Sequence, residues 1–199
     1  GTLNAHGKDV VVIGGGDTAM DCVRTATRQQ AKSVKCLYRR DRENMPGSAR
    51  EVSNAIEEGV EFIWLSGPKK FIGNKKVGEV QINKMILGSA DSSGRRKPEI
   101  QENSEYNIKA DIVIKSLGFD PENLPELFLA KELLVSRWGT IKIDLNTMQT
   151  NIDGIFAAGD IVRGASLVVW AIKDGRDVAV QIQRYLKEKS IQKDKVKAA

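Results

Sequence analysis

Two cysteines and one histidine are all the thiol and imidazole chemistry in the 199 residues. Cys22 and Cys36 lack metal-ligand spacing, and so few thiols exclude a disulfide framework and fit a reducing, cytoplasmic setting. His6 has no partner for a zinc site or a catalytic triad. Long hydrophobic runs are missing as well. No stretch is long enough to span a bilayer and no signal peptide precedes the first apolar strand, so no membrane association is expected. Aromatic residues make up 6% of the chain and form no platform interleaved with the basic residues. The net charge of +5 therefore comes without the stacking platform or recognition module of a nucleic-acid binder. Much of the excess lies around Lys187, Lys189, Lys193, Lys195 and Lys197, and 189–199 are expected to form a solvated, fraying basic tail. What remains, 41% hydrophobic and 29% charged, is the composition of one globular domain or two small ones.

The most informative residues run from Val10 to Asp21. An apolar strand, Val10-Val11-Val12-Ile13, enters the turn Gly14-Gly15-Gly16, and a helix follows with Ala19, Met20, Val23, Ala26 and Thr27 on one face. This is the GxGxxA form of a dinucleotide-binding turn, carried by Gly14, Gly16 and Ala19. Gly14 permits the sharp turn, Gly16 lets backbone amides approach a pyrophosphate, and Ala19 lets helix and strand pack closely. The first-turn amides and the positive end of the helix dipole then face the diphosphate. Gly15, Asp17 and Thr18 complete the expected phosphate cradle, and Asp17 or Thr18 is expected to cap the helix.

A second strand, Ser33 to Tyr38, ends in Arg39-Arg40 with no carboxylate before them, although Asp41 follows. In this type of fold the strand tip lies near the adenosine ribose. A carboxylate there selects NAD and arginine selects the 2′-phosphate of NADP. Arg39 and Arg40 therefore point to NADPH, with Arg42 or Arg50 as helpers. Tyr38 either covers the adenine or packs. A loop closed by Pro46-Gly47 leads to a helix with Ser48 and Glu51 as a capping box, then to the strand Val60–Leu65. This alternation specifies a right-handed parallel α/β sheet. From Gly67 to about Ile108 alternating residues and turns indicate an antiparallel excursion, whose charges read as solvated faces. A second unit is expected from Ala110, with a buried strand, a glycine turn, a strand pair near Leu134 and Ile141, and a last helix from about Ala165. That helix carries the stripe Val168, Ala171, Ile172, Gly175, Val178, Ala179, Ile182 and Leu186.

Several strings together resemble one family, the small (beta) subunit of NADPH-dependent glutamate synthase, in its carboxy-terminal part. They are Val11 to Ala26, Tyr38-Arg39-Arg40-Asp41, Asn44 to Ser48, Glu57 to Phe62, Leu117-Gly118-Phe119, and Ile155 to Gly164 followed by Ser166 to Ile172. The resemblance implies a Rossmann-like NADPH-binding domain with an antiparallel excursion over 1–108. It implies the carboxy-terminal portion of a second, FAD-binding domain over 109–188. It places Asp160 at the FAD ribityl or pyrophosphate, the amides of Leu167, Val168 and Val169 at the flavin ring, and Gly118 and Gly159 among the cofactor-binding positions. It implies hydride transfer from NADPH to FAD, then electron flow to a large subunit that makes glutamate from glutamine and 2-oxoglutarate. Hydride transfer needs stacked rings and no protein acid or base, so no catalytic residue is nominated. The family's amino-terminal portion, with its iron–sulfur cysteines and first glycine fingerprint, has no counterpart in this sequence. FAD binding and turnover by this chain alone are therefore not expected. Apolar surface meant for the missing half is expected to be exposed or buried in a homo-oligomer, with the large subunit and that half as the implied partners. A related NADPH:flavin electron-transfer subunit (dihydropyrimidine dehydrogenase-like or ferredoxin:NADP oxidoreductase-like) and a truncated, non-catalytic nucleotide-binding module are the alternatives.

Overall fold

Both faces of the first strand are apolar, and the fold uses both. In the computed structural model, which describes residues 3–90 and 96–197 with side chains to residue 191, the chain divides into two compact units, Gly1–Leu117 and Gly118–Ala199. The first unit is built around β1 (Asp9–Ile13), which pairs in parallel with β2 (Ser33–Leu37) and β8 (Ile112–Lys115). With β3 (Glu61–Ile63) on the far side of β2, the sheet order is β3-β2-β1-β8. Val10 and Val12 face α1 (Asp17–Arg28) and α2 (Ala49–Glu57), meeting Ala19, Met20, Val23, Val52 and Ala55 in one buried cluster. Val11 and Ile13 face the other way, into a cluster with Leu37, Val80, Ile82 and Ala110. A strand buried on both sides reads as an unbroken hydrophobic run instead of an alternating one. Each such fully buried side chain contributes on the order of 1.5–3 kcal/mol.

The second cluster exists because the antiparallel excursion covers that face. It comprises β4 (Ser66–Ile72), β5 (Glu79–Ala90), β6 (Arg96–Ile100) and β7 (Tyr106–Lys109). The long β5 pairs antiparallel with each of the other three, with a register shift against β6 between Leu87 and Ala90. The expected α/β architecture and antiparallel excursion are both present. One boundary moves: Ile112–Lys115, expected to open the second unit, is the edge strand of the first sheet, and the first unit extends to Leu117. An apolar strand carries no mark of which sheet it will join, since that pairing is made with residues about a hundred positions away, such as Val10 with Ile112.

The second unit is sparse in regular structure. It contains α3 (Leu124–Leu127), α4 (Asp160–Arg163) and the long α5 (Val168–Lys197). The strand pair expected near Leu134 and Ile141 is a single bridge, Val135 to Ile141, and a second bridge joins Gln149 to Phe156. Leu133, Ile141 and Ala157 form its buried cluster. The last helix starts at Val168 instead of near Ala165, and it continues to Lys197, so the basic residues expected as a fraying tail are helical up to that point. Of the apolar stripe on α5, Val178 and Ile182 are partly covered, while Val168, Ile172 and Leu186 are exposed. No helix among the described residues is long and apolar enough to cross a membrane.

Candidate nucleotide-binding site

The glycine turn sits where β1, β2 and β8 end together. The Gly14 amide donates to the Leu37 carbonyl at 3.1 Å, and the Ser116 amide donates to the Ile13 carbonyl at 2.8 Å. The three glycines answer to different constraints. Gly14 has φ +144°, and a Cβ there would lie 2.2 Å from the Ser116 carbonyl oxygen. A Cβ at Gly15 would meet the Tyr38 ring at 2.4 Å. At Gly16 a Cβ would meet nothing within 4 Å, so this residue faces open space at the start of α1. The first two glycines are required by the fold, and the third borders room for a ligand. The Ala19 and Met20 amides close onto the Gly16 carbonyl at 2.9 and 3.2 Å, which leaves the Asp17 and Thr18 amides as first-turn donors. Ala19 is fully buried against the sheet, as its place in the turn motif requires.

The expected caps are replaced by tertiary contacts. Gly16 is the N-cap of α1, with no side-chain cap bond. Asp17 instead accepts a hydrogen bond from the Ser48 amide at 2.8 Å, while the Gly47 amide donates to the Gly15 carbonyl at 2.8 Å. These two bonds staple the loop before α2 across the glycine turn. Ser48 caps α2 by position but makes no side-chain cap bond. Glu51, expected to complete a capping box, pairs with Arg24 of α1, and Arg24 also holds Glu58 at 2.8 Å. The Arg24 hydrogen bond keeps the Glu58 carboxyl below the ordinary carboxylate range. The two helices flanking the turn are thereby tied together. Neither exchange had a sequence signal, because the partners meet only after the loop folds back.

Past Leu37 the chain alternates in and out. Tyr38 is buried, its ring against Gly15, edge-on to Trp64 at 6.4 Å, with its hydroxyl donating to the Asn44 carbonyl at 2.8 Å. Of the two roles open to Tyr38, it packs. Arg39 is exposed. Arg40 is buried, and its Nε donates to the Arg96 carbonyl at 3.0 Å. Arg42 and Arg50 are exposed. The Asp41 carboxylate is turned inward, accepting from the amide and the side-chain nitrogen of Asn44 at 2.9 and 2.7 Å, and these bonds lower its pKa. Both bonds fall on Oδ1, so one oxygen of this carboxylate is engaged and Oδ2 has no hydrogen bond among the described residues, while Arg39 two residues before it is exposed. Cys36 lies beneath the turn with its thiol toward the Gly14 carbonyl, and burial pushes its pKa up to about 12. Cys22 is also unpaired.

In the second unit, Gly159 has φ +75° and starts α4. Asp160 is exposed, and so are Leu167, Val168 and Val169 at the start of α5. Gly118 has φ +88° and open space about it. The residue that organises this end of the unit, Asp174, went unnoticed in the sequence. Its buried carboxylate receives Arg163 Nε at 3.1 Å and Nη2 at 2.6 Å. Arg163 also lies over the Trp170 ring at 5.1 Å. That fork, with a smaller contribution from the Gly159 amide, holds the Asp174 carboxyl below the ordinary range. A cavity of about 360 Å³ beside it is lined by Ile143, Met148, Val162 and Asp177 among others.

Comparison with known proteins gives the chain a family. The model of the pyridine nucleotide-disulphide oxidoreductase family matches residues 2–175. The chain is 63% identical over 96% of its length to the small chain of NADPH glutamate synthase from Azospirillum brasilense. It is 50% identical over 92% of its length to the Escherichia coli protein of the same name. It spans 39% and 40% of the length of these two relatives. Among solved structures, thioredoxin reductase of Lactococcus lactis superposes with a TM-score of 0.72 at 26% identity, covering 92% of this chain and 54% of that one.

Proposed function

Because the chain belongs to the pyridine nucleotide-disulphide oxidoreductase family, a family of enzymes, we propose that its first unit binds NADPH and that it serves as the electron-input part of a glutamate synthase small subunit. The observation that carries the nucleotide choice is the tip of β2, where Arg39 is exposed while the Asp41 carboxylate is bonded to Asn44. An NAD site would need that carboxylate for the ribose hydroxyls, and an NADP site needs the cation. When bound, NADPH supplies a hydride and FAD accepts it. The protein's own residues do the binding. The Asp17 and Thr18 amides and the open face at Gly16 suit a diphosphate, and the exposed Arg39 suits the 2′-phosphate, with the neighbouring Arg40 buried and bonded through its Nε to the Arg96 carbonyl. The buried, protonated Cys36 thiol is held out of the reaction. In the second unit the open positions Gly118, Gly159, Asp160, Leu167, Val168 and Val169 suit a flavin, with Asp174 and Arg163 fixing the Gly159 turn. Electrons would leave the flavin for a large subunit that forms glutamate from glutamine and 2-oxoglutarate. The domain reading, NADPH over 1–108 and FAD over 109–188, is kept for the ligands, with the structural boundary after Leu117.

Calorimetric titration with NADPH, NADH and FAD tests this reading. NADPH should bind much more tightly than NADH. Equal affinities would remove the assignment of the β2 tip. Gly16→Val should abolish binding of both nucleotides while leaving the circular dichroism spectrum and melting temperature nearly unchanged, since a Cβ at this position meets nothing within 4 Å beyond its chain neighbours. Unchanged binding would make the turn purely structural.

A further inference from the structure

The β5–β6 hairpin reaches the nucleotide site through backbone and side-chain bonds that its sequence does not announce. The Leu65 amide donates to the Arg40 carbonyl at 3.0 Å, and the Ser66 amide donates to the Tyr38 carbonyl at 3.0 Å. These bonds seat the start of β4, and with it β5, against the tip of β2. The hairpin's other strand arrives by a side chain: the Nε of Arg40 donates to the carbonyl of Arg96, the first residue of β6. Arg40 is only 6% exposed, so a large part of its guanidinium is committed inward. Arg96 itself is exposed, yet its side chain is fixed. Its Nε donates to the Gly88 carbonyl at 3.0 Å and its Nη2 to the Leu87 carbonyl at 2.7 Å. Both carbonyls belong to the register shift in β5, where the ladder to β6 is interrupted and carbonyls turn outward. A guanidinium has five N–H groups, and these two bonds leave donors for an anion. Its charge is felt at Asp41, the residue after Arg40. That carboxylate opposes an anion nearby, but it is engaged with Asn44. Among the described residues none of Arg39, Arg40 and Arg96 has a carboxylate in ion-pair range.

We infer that Arg96 on the β5–β6 hairpin is a second contact for the 2′-phosphate alongside Arg39, and that Arg40 is a positioning residue that sets Arg96. This deepens the NADPH reading and rests on it. Arg39 comes from the parallel sheet and Arg96 from the antiparallel one, so the excursion is a working part of the nucleotide site instead of a solvated ornament. A pre-pinned guanidinium loses little freedom on binding, which favours arginine over lysine at this place.

The test is calorimetric binding of 2′,5′-ADP and of 5′-AMP to the full chain. The two probes share the 5′-phosphate and differ in the 2′-phosphate. If the unaltered chain does not prefer 2′,5′-ADP, the NADPH reading fails and this inference falls with it. If it does, Arg96→Ala should weaken 2′,5′-ADP by about tenfold or more and leave 5′-AMP within about twofold, as expected for a lost charged hydrogen bond. An Arg96→Ala variant that binds 2′,5′-ADP normally, while Arg39→Ala does not, would overturn the inference and leave the NADPH reading standing. Arg96→Lys, which keeps the charge, should recover part of the preference; no recovery at all would count against a phosphate contact. Arg40→Lys retains a cation but loses the Nε bond. It should weaken 2′,5′-ADP in the native background and add nothing once Arg96 is alanine. A further loss in that background would make Arg40 an independent contact and overturn its positioning role.

Discussion

The two units spend similar apolar sequence in opposite ways. In Gly1–Leu117 the valines of β1 and the stripe of α1 disappear into two clusters, one on each face of the sheet. In Gly118–Ala199 the buried cluster is three residues, while Phe119, Phe128, Leu129, Leu145 and Val168 each stand more than two-thirds exposed. α5 has the apolar spacing of a core helix, but the described residues of its own unit supply too little surface to cover it. The first unit buries most of its apolar run within these two clusters. The second leaves large apolar side chains exposed, a feature that in general marks surfaces of interaction.

The largest expected effect tests the first unit. Met20 is fully buried between α1 and the sheet, and Met20→Ala should cost about 2–5 kcal/mol in denaturant unfolding. A cost below about 1 kcal/mol would mean that the first core is loosely packed and the contrast between units is overstated. Next comes Gly15→Ala, whose methyl would press on the Tyr38 ring at 2.4 Å; overpacking of this kind costs about 1–3 kcal/mol. An unaltered melting temperature would show that Tyr38 moves freely, and the turn would be less crowded than described.

A smaller effect concerns the pair of the buried Asp174 with the more exposed Arg163. Asp174→Asn should destabilise that unit at neutral pH, read by the fluorescence of Trp170 beside Arg163. Because the folded carboxyl titrates below its ordinary value of 3.8, its stabilisation is complete above that value and is lost as pH falls through the lowered one. The gap between native and variant should therefore close in strong acid. A gap that persists there would assign the effect to packing. The smallest effect is expected from Leu186→Ala on α5. At 59% exposure its stability should change by no more than about 0.5 kcal/mol. A larger loss would show that the α5 stripe is covered after all, in which case sedimentation should reveal a self-associated chain.

Legibility in the sequence followed the same division. The glycine turn, α1 and the helix–strand alternation were readable because their signals are local: spacing, glycine and apolar period. Arg39 and Arg40 were found as a pair, but not that one is exposed and the other buried, since that depends on Arg96 more than fifty residues away. Spacing marks Asp17, Ser48 and Glu51 as caps; Ser48 does hold the N-cap position of α2, without a side-chain bond, while the Asp17 and Glu51 carboxylates bond to partners outside their own helices. The sequence around Ile112–Lys115 shows an apolar strand but not its pairing, which is made with β1 about a hundred residues away. The period of α5 gave a face, and a period does not say what will cover it.

The alternation Tyr38 in, Arg39 out, Arg40 in has a consequence for any attempt to re-engineer cofactor preference. Transplanting a whole strand tip from an NADH enzyme would exchange three residues at once. Two of them are structural: Tyr38 fills the space over Gly15, and Arg40 fastens the hairpin. If the first unit binds NADPH as proposed, the changeable part of the tip is the exposed Arg39, and a lineage, or a designer, drifting from one nicotinamide to the other would pass through Arg39 first and the hairpin afterwards, with the buried residues on either side held still.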